Sequence, residues 1–371
     1  YTDTTRECSF GESVPTRYIA GGGANTGSAI TSVDGINWVE HTALSNMITI
    51  LRTVKWNGKI WVAGGNDGTN TLAYSENGLV WTGTGNKIFD VQCYDLTFGN
   101  GFWLASGEGT DYTLAYSENG KVWNPIIVVK ELISTRISSV KWNGNVWVAG
   151  GTGTNTIIFS SDALNWFASA DSSTLFSAVR VVEWVGDRWL AGGDAEVAGS
   201  YLGYSSDGNT WTGLNPGFTT SVYSIATNGK MTVVGGSGTY VLRYTYDFSN
   251  WYTPVGNGVN QFTEVFHVFW DGERWFAMGD GTGNIAYSYD GINWVKINES
   301  ILSAGLTITV NKRRENTLRL KRSMMVAVGG VSGDKIVYSY DGIEWFFVIN
   351  STSIFSTYGS DVAWNGTMWV A

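Results

Sequence analysis

The chain is short of the residues that usually build catalytic sites, metal centres and covalent staples. Among its 371 residues histidine occurs only as His41 and His267, and cysteine only as Cys8 and Cys93. Neither histidine lies in a triad or metal-ligand pattern, and the cysteines form no metal-spaced cluster. A zinc site or a disulfide scaffold therefore finds no support, which leaves two buried thiols or a single disulfide. No apolar run approaches the roughly 18 residues of a membrane-spanning helix, and no long amphipathic helix is discernible. Charge is also scarce, and the net charge of −9 argues against general affinity for nucleic acid or an anionic membrane. Tyr1 is neither an initiator Met nor the start of a signal-like segment, and Ala371 falls in mid-strand. These ends suggest a processed or partial chain, part of a larger chain or assembly.

What the chain has instead is glycine, 48 residues, and aromatics, with 19 Trp, 18 Tyr and 16 Phe. They fall in a repeat, best kept from Val140 to Trp166, VKWNGNVWVAGGTGTNTIIFSSDALNW. An apolar-polar alternation ends in Asn143-Gly144, the strongest short hairpin signal. A second strand ends on Gly150-Gly151, a third reads TIIFS, and a polar turn leads to a fourth strand at Trp166. Four short antiparallel strands in about 43 residues are the size of one propeller blade.

The turn before that tryptophan recurs eight times as Ser/Thr, any residue, Asp/Asn, three residues, Trp. Its acidic or amide positions are Asp34, Asn77, Asn119, Asp162, Asp207, Asp247, Asp290 and Asp341. Short oxygen-bearing side chains there accept backbone N–H groups, so these residues are read as structural turn formers and not as catalytic groups. The tryptophans, Trp38 to Trp345, stand 43, 42, 43, 45, 40, 43 and 51 residues apart.

The expected architecture is an all-β propeller of four-stranded antiparallel blades, eight in number with seven as the alternative. Residues 1–16 are an arm or a degenerate strand, and residues 17–371 a single propeller domain. VAWNGTMWVA, residues 362–371, begins a ninth unit, and ring closure by these terminal strands would remove two exposed edges. The long last spacing reflects a basic insertion at 311–323. Six Lys or Arg fall between Lys312 and Arg322, against a remainder of 17 basic and 31 acidic residues. That stretch reads either as a docking loop on an acidic body or as a solvated insertion or sequence error.

In WVAGGNDGTNTLAYSENGLVW, residues 61–81, the order of apolar strand, Gly-Gly, Tyr and Trp resembles the kelch repeat. The Ser-x-Asp…Trp turn resembles the Asp-box of bacterial-neuraminidase-type repeats, although SYDGINW places Gly directly after Asp. The blades are also shorter than typical kelch blades. Repeat proteins of large viruses and microbes are similar, which suggests a surface or virion structural setting. These families span adhesion, adaptor and enzyme roles, so the site has to decide. Sialidases with Asp-boxes use an arginine cluster, a Tyr-Glu pair and an acid Asp. Arg52, Arg136 and Arg180 exist here, but no Arg-Ile-Pro opening and no pairable Tyr and Glu. Glycine-rich turns such as GGTGTN join strand to strand without the helix of a phosphate loop. NDGTN and GDGTGN lack the ligand spacing of a calcium loop. No cofactor and no metal is expected.

The repeats agree least where each blade begins. Counting four residues back from the first-strand tryptophan or its equivalent gives Arg52, Tyr94, Ser138, Arg180, Tyr223 and Phe266, with Arg136 and His267 adjacent. These positions enter the innermost strand near the mouth of the central channel. Two readings stand: aromatic planes and arginine forks that anchor a ligand, or side chains that plug the channel and pair with nearby acids. The function expected is a non-enzymatic binding or adhesion module for a protein or glycan. The alternative is a divergent, sialidase-like glycoside hydrolase.

Overall fold

The computed structural model describes residues 17–24, 27–66, 69–85, 87–196, 199–298 and 301–311, with five short strand segments between 325 and 370. The chain divides into two compact units at residues 313 and 314. In the first, the described residues form a ring of seven antiparallel blades. The innermost strands are Ile50–Trp56, Gln92–Gly99, Arg136–Trp142, Phe176–Trp184, Ser221–Thr227 and Phe262–Trp270 for blades 2 to 7. Each touches the next around the ring. Blade 6 keeps only a single Tyr244↔Tyr252 bridge where the others have a fourth strand, and a Ser237↔Glu264 pair links it to blade 7. In the second unit Met325–Val328, Ile336–Ser339 and Phe346–Phe347 form one sheet, and Ala363–Trp364 pairs with Trp369–Val370.

Closure differs from the sequence expectation in its strand. Blade 1 takes its innermost strand from Leu302–Val310, which pairs antiparallel with Tyr18–Ala24, with Tyr18 opposite Val310 and Ala20 opposite Ile308. The same strand touches the innermost strands of blades 2 and 7. Seven blades, the lower of the two expected numbers, therefore complete the ring without residues 362–371. The first strand of the eighth repeat pairs with the N-terminal strand. Both edges are satisfied by this pairing.

A second correction concerns the Asn-Gly hairpins. Only blade 3 has the two-residue turn with both φ angles positive, Asn100 at 49° and Gly101 at 85°. In blade 4 the loop is longer, only Gly144 is left-handed, and Asn143 Oδ1 accepts the N–H groups of Asn145 and Val146 at 2.9 and 2.7 Å. Asparagine serves there as a side-chain acceptor, not as a left-handed residue.

Blades are locked to one another through the glycine doublets. The innermost strand of every blade carries a β-bulge: in blade 5 the register slips between Val179 and Val181, opposite Gly193 and Gly192. The kinked carbonyl lies against the second glycine, where a Cβ on Gly193 would stand 2.0 Å from the Ala178 oxygen. Gly151 meets the Arg136 oxygen in the same way at 2.0 Å. The first glycine admits the next blade: a Cβ on Gly192 would stand 2.3 Å from Val222 Cγ1. Blade 7 inverts this contact. It has Met278 in place of the first glycine, and the facing strand supplies Gly305, whose Cβ would lie 2.8 Å from Met278 Cε.

Tryptophans fill the layers between blades. Trp61, Trp103, Trp147, Trp189 and Trp275 of the second strands are fully buried, and the turn tryptophans Trp81, Trp123, Trp166, Trp211 and Trp294 nearly so. Removing one such side chain costs on the order of 3–5 kcal/mol. The turns that precede them are held locally. Asp34, Asn77, Asn119, Asp162, Asp207, Asp247 and Asp290 each accept, through Oδ1, the N–H groups two and three residues on, at 2.8–3.0 Å. Asp341 and the segment Lys312 to Arg322 lie outside the described residues.

Two expectations follow from these contacts. Gly193→Ala should destabilise by about 3 kcal/mol or more, because rigid backbone opposes the new methyl. Gly186→Ala, with open space around it and φ of 109°, should cost only about 1 kcal/mol of backbone strain. Equal urea midpoints for the two variants would contradict the bulge contact. The second expectation is a pH dependence. Backbone N–H donation from Asn165 to Asp162, and from Asn250 to Asp247, then their side-chain amides, lowers both carboxyls to about 2. A folded pKa below the unfolded one, roughly 3.9, gives stabilisation that is complete at neutral pH and lost as pH falls through about 2. Asparagine already does this job at 77 and 119, so Asp162→Asn with Asp247→Asn should flatten the loss of urea resistance between pH 4 and 2 at little cost at pH 7. An unchanged acid limb would count against it.

Candidate functional site

The bulges decide what faces the channel. Alternation along a strand turns every second residue inward, and each bulge adds one more. Register slips fall between Leu51 and Thr53, Cys93 and Asp95, Ile137 and Ser139, Val179 and Val181, Val222 and Ser224, and Val265 and His267. The extra residues are Arg52, Tyr94, Ser138, Arg180, Tyr223 and Phe266. All six, with His267, line one cavity of about 570 Å³. Blade 1 contributes Leu306 and Thr307. Arg136 is outside the lining, but its guanidinium carbon lies 5.4 Å from the centre of the Tyr94 ring, and that of Arg52 lies 5.8 Å from it.

Partners are distributed unevenly around this mouth. Arg180 is held by Asp194 at 2.6 Å, and Ser221 donates to the same carboxylate at 2.6 Å. Tyr94 donates its hydroxyl to Glu108 at 3.1 Å, and the rings of Tyr223 and Phe266 meet at 5.4 Å. Arg52 Nε, Arg136 Nε, Ser138 Oγ and His267 Nδ1 are buried without a hydrogen-bond partner among the described residues. Burial lowers the Arg52 pKa, opposed by Tyr94 and aided, to the least extent, by the charge of Arg136.

Deeper in the cavity stands a charged group that the four-back count did not single out: Lys55, Asp95, Lys141 and Glu183. Three of these sit one residue before the strand-end tryptophan, and alternation from that tryptophan would have found them. Lys141 pairs with Asp95, which also accepts from Ser139 Oγ at 3.1 Å and Val140 N at 3.2 Å. Burial opposes ionisation of Asp95, but Lys141 and Lys55 outweigh it and hold the carboxyl below its ordinary value. For Glu183 burial wins and the pKa is raised, while burial lowers that of Lys55. His267, desolvated and then disfavoured by the Lys55 charge, falls to about 3 and is a neutral imidazole at pH 7.

The other sparse residues are in structural surroundings. His41 donates from Nε2 to the Gly78 oxygen at 2.6 Å, and Cys93 is a free, buried thiol on the first strand of blade 3. The turn residues Asp34 to Asp290 lie between third and fourth strands, at the blade end away from the bulges. Among the described residues no group of three His, Cys, Asp or Glu is placed to hold a metal ion, and no helix is long and apolar enough to cross a membrane.

No protein-family model matches the chain, and no curated protein sequence matches it. Solved structures do. The chain is similar to Ycf48 from Cyanidioschyzon merolae, with a TM-score of 0.50 and 13% identity over 70% of this chain and 88% of that one. It is also similar to the WD40 β-propeller domain of Doa1, with a TM-score of 0.49 and 10% identity over 66% and 81% of the two chains. The computationally designed Ika8 protein gives a TM-score of 0.45 at 14% identity, covering 78% of this chain and 80% of its own. At such identities the likeness concerns architecture alone: this chain has the all-β, four-stranded-blade fold of the β-propellers.

Proposed function

We propose that the chain is a non-enzymatic binding module, a rigid scaffold that recognises a protein partner at the channel mouth. The observation that carries this reading is the convergence of six bulge residues, aromatic and arginine among them, on one cavity. Ring closure needs the bulge but not those side chains, since Ser138 and Leu306 occupy the same positions. Rigid aromatic planes and guanidinium forks are favourable anchors because little conformational entropy is lost when they engage. One similar solved structure is that of Ycf48 bound to a D1 peptide. The finer kinship with kelch and Asp-box repeats rests on the glycine doublet and the Ser-x-Asp…Trp turn. Adhesion to a glycan is the variant of this reading that the same aromatic residues support.

A second reading has one observation behind it. An ionised Asp95 and a Glu183 of raised pKa share the cavity, which is how acid and base carboxylates are set apart in glycosidases. Asp95 is, however, committed to Lys141.

Selection of a random linear-peptide display library on the immobilised chain tests the favoured reading. Binding of the selected peptides should fall at least about tenfold in Tyr223→Ala/Phe266→Ala, given the usual weight of aromatic anchors. It should be unaffected by Lys121→Ala on the opposite blade end. Peptides indifferent to the mouth variant would move the site elsewhere. Binding on a glycan array with no peptide selected would change the ligand class. Turnover of a fluorogenic glycoside that is lost in Glu183→Gln would establish the hydrolase.

A further inference from the structure

We propose that the mouth recognises a carboxylate: Arg52 and Arg136, gathered over the Tyr94 ring, take one carboxylate of an extended peptide, from its C-terminus or an acidic side chain. This rests on the reading that the mouth holds the ligand, and adds the chemistry by which it does so.

Ion pairs and hydrogen bonds together single out these two arginines: Arg17 and Arg243 also lack a carboxylate among the described residues, but they donate to Thr31 Oγ1 at 3.3 Å and to the Trp251 oxygen at 2.6 Å. Arg180, Arg188 and Arg274 each have a carboxylate at 2.6, 2.7 and 3.8 Å, and Lys141 has Asp95. Arg52 and Arg136 have none among the described residues, and their buried Nε atoms have no acceptor. Ser138 Oγ, in the blade of Arg136, is also buried without a partner. Folding a propeller does not require two guanidinium groups to be gathered on one ring with their donors unused. Buried N–H groups left unsatisfied are costly, and the residues become intelligible when a ligand supplies the acceptor. The Tyr94 hydroxyl is spent on Glu108, so the ring acts as a platform under the arginines.

Charge counting narrows the ligand to a monoanion. Arg180 is held by Asp194 and Lys141 by Asp95, and Lys55 stands in the field of Asp95 and then of Glu183. Asp194 also lies in the field of Arg136, and Glu108 is bonded to the Tyr94 hydroxyl, so Arg52, Arg136 and Arg180 together exceed these two carboxylates by one positive charge. A carboxylate matches that excess and the planar fork of a guanidinium. A phosphate dianion would exceed it, with Asp95 and Glu183 further down the same cavity. Across the ring, blade 7 has Glu264 at the strand position equivalent to Arg136, paired with Asp280, which disfavours a second anionic group on that side.

The test follows the arginine Nε–H resonances of the full chain by NMR during titration with four probes. These are N-acetylglycylglycine, its C-terminal amide, N-acetylneuraminic acid and inorganic phosphate. The peptide acid should shift Arg52 and Arg136 saturably, and its amide should bind at least about tenfold more weakly, the usual loss when a charge-assisted pair becomes neutral. Arg52→Gln and Arg136→Gln, checked by thermal melting for intact folding, should each abolish the shift of the remaining arginine. Equal binding of acid and amide, tighter binding of phosphate, or no shift with any probe would overturn the proposal. A response to N-acetylneuraminic acid alone would overturn the peptide as source. Display-selected peptides that need Tyr223 and Phe266 but ignore Arg52→Gln would leave the mouth as the binding site and remove the carboxylate.

Discussion

The structure depends on a steric exchange between a bulged strand and a glycine doublet. A bulge in the innermost strand pushes a carbonyl toward its neighbour, and only a residue without Cβ leaves space for it, as Gly193 does for Ala178. The adjacent glycine leaves space for an aliphatic side chain of the following blade, as Gly192 does for Val222. One doublet therefore holds the kink of its own blade and the packing of the next. The exchange at Met278 and Gly305 shows that the contact is conserved in volume even where the residue types are reversed across the blade boundary.

The same constraint produces the candidate site. A regular strand would present alternate residues to the channel, whereas the bulge turns two consecutive residues inward, such as Arg52 with Thr53 or Tyr94 with Asp95. Backbone geometry fixed by glycine thus provides a ring of positions whose side chains are free to vary. Closure by Leu302–Val310 completes that ring, because Leu306 and Thr307 enter the same cavity.

Much of this was legible in the amino-acid sequence, and the rest was not for physical reasons. The blade is readable because alternation, glycine doublets and the Ser-x-Asp…Trp turn are local signals, and the four-back count reaches the bulge residues because all the bulges occur at one register. The choice of Leu302–Val310 as the closing strand is not local. Its pattern fits either the start of an eighth blade or the missing strand of the first, and partner choice belongs to the tertiary fold. Lys55, Lys141 and Glu183 are not legible as channel residues, because a charged residue beside a tryptophan on a strand reads as solvent-facing until the strand is known to be innermost. The turn at Asn143-Gly144 departs from the two-residue hairpin because its asparagine acts through its side chain.

Ring closure is the claim from which both the blade number and the integrity of the mouth follow, and an engineered cross-link addresses it most directly. Ile19 stands opposite Thr309 in the closing pair, within the separation that a disulfide spans. Ile19→Cys/Thr309→Cys should form a bond on mild oxidation, mapped by mass spectrometry of tryptic peptides, while Ile19→Cys/Val370→Cys stays reduced. A bond in the second variant and none in the first would show that the terminal strands close the ring and would contradict the seven-bladed account.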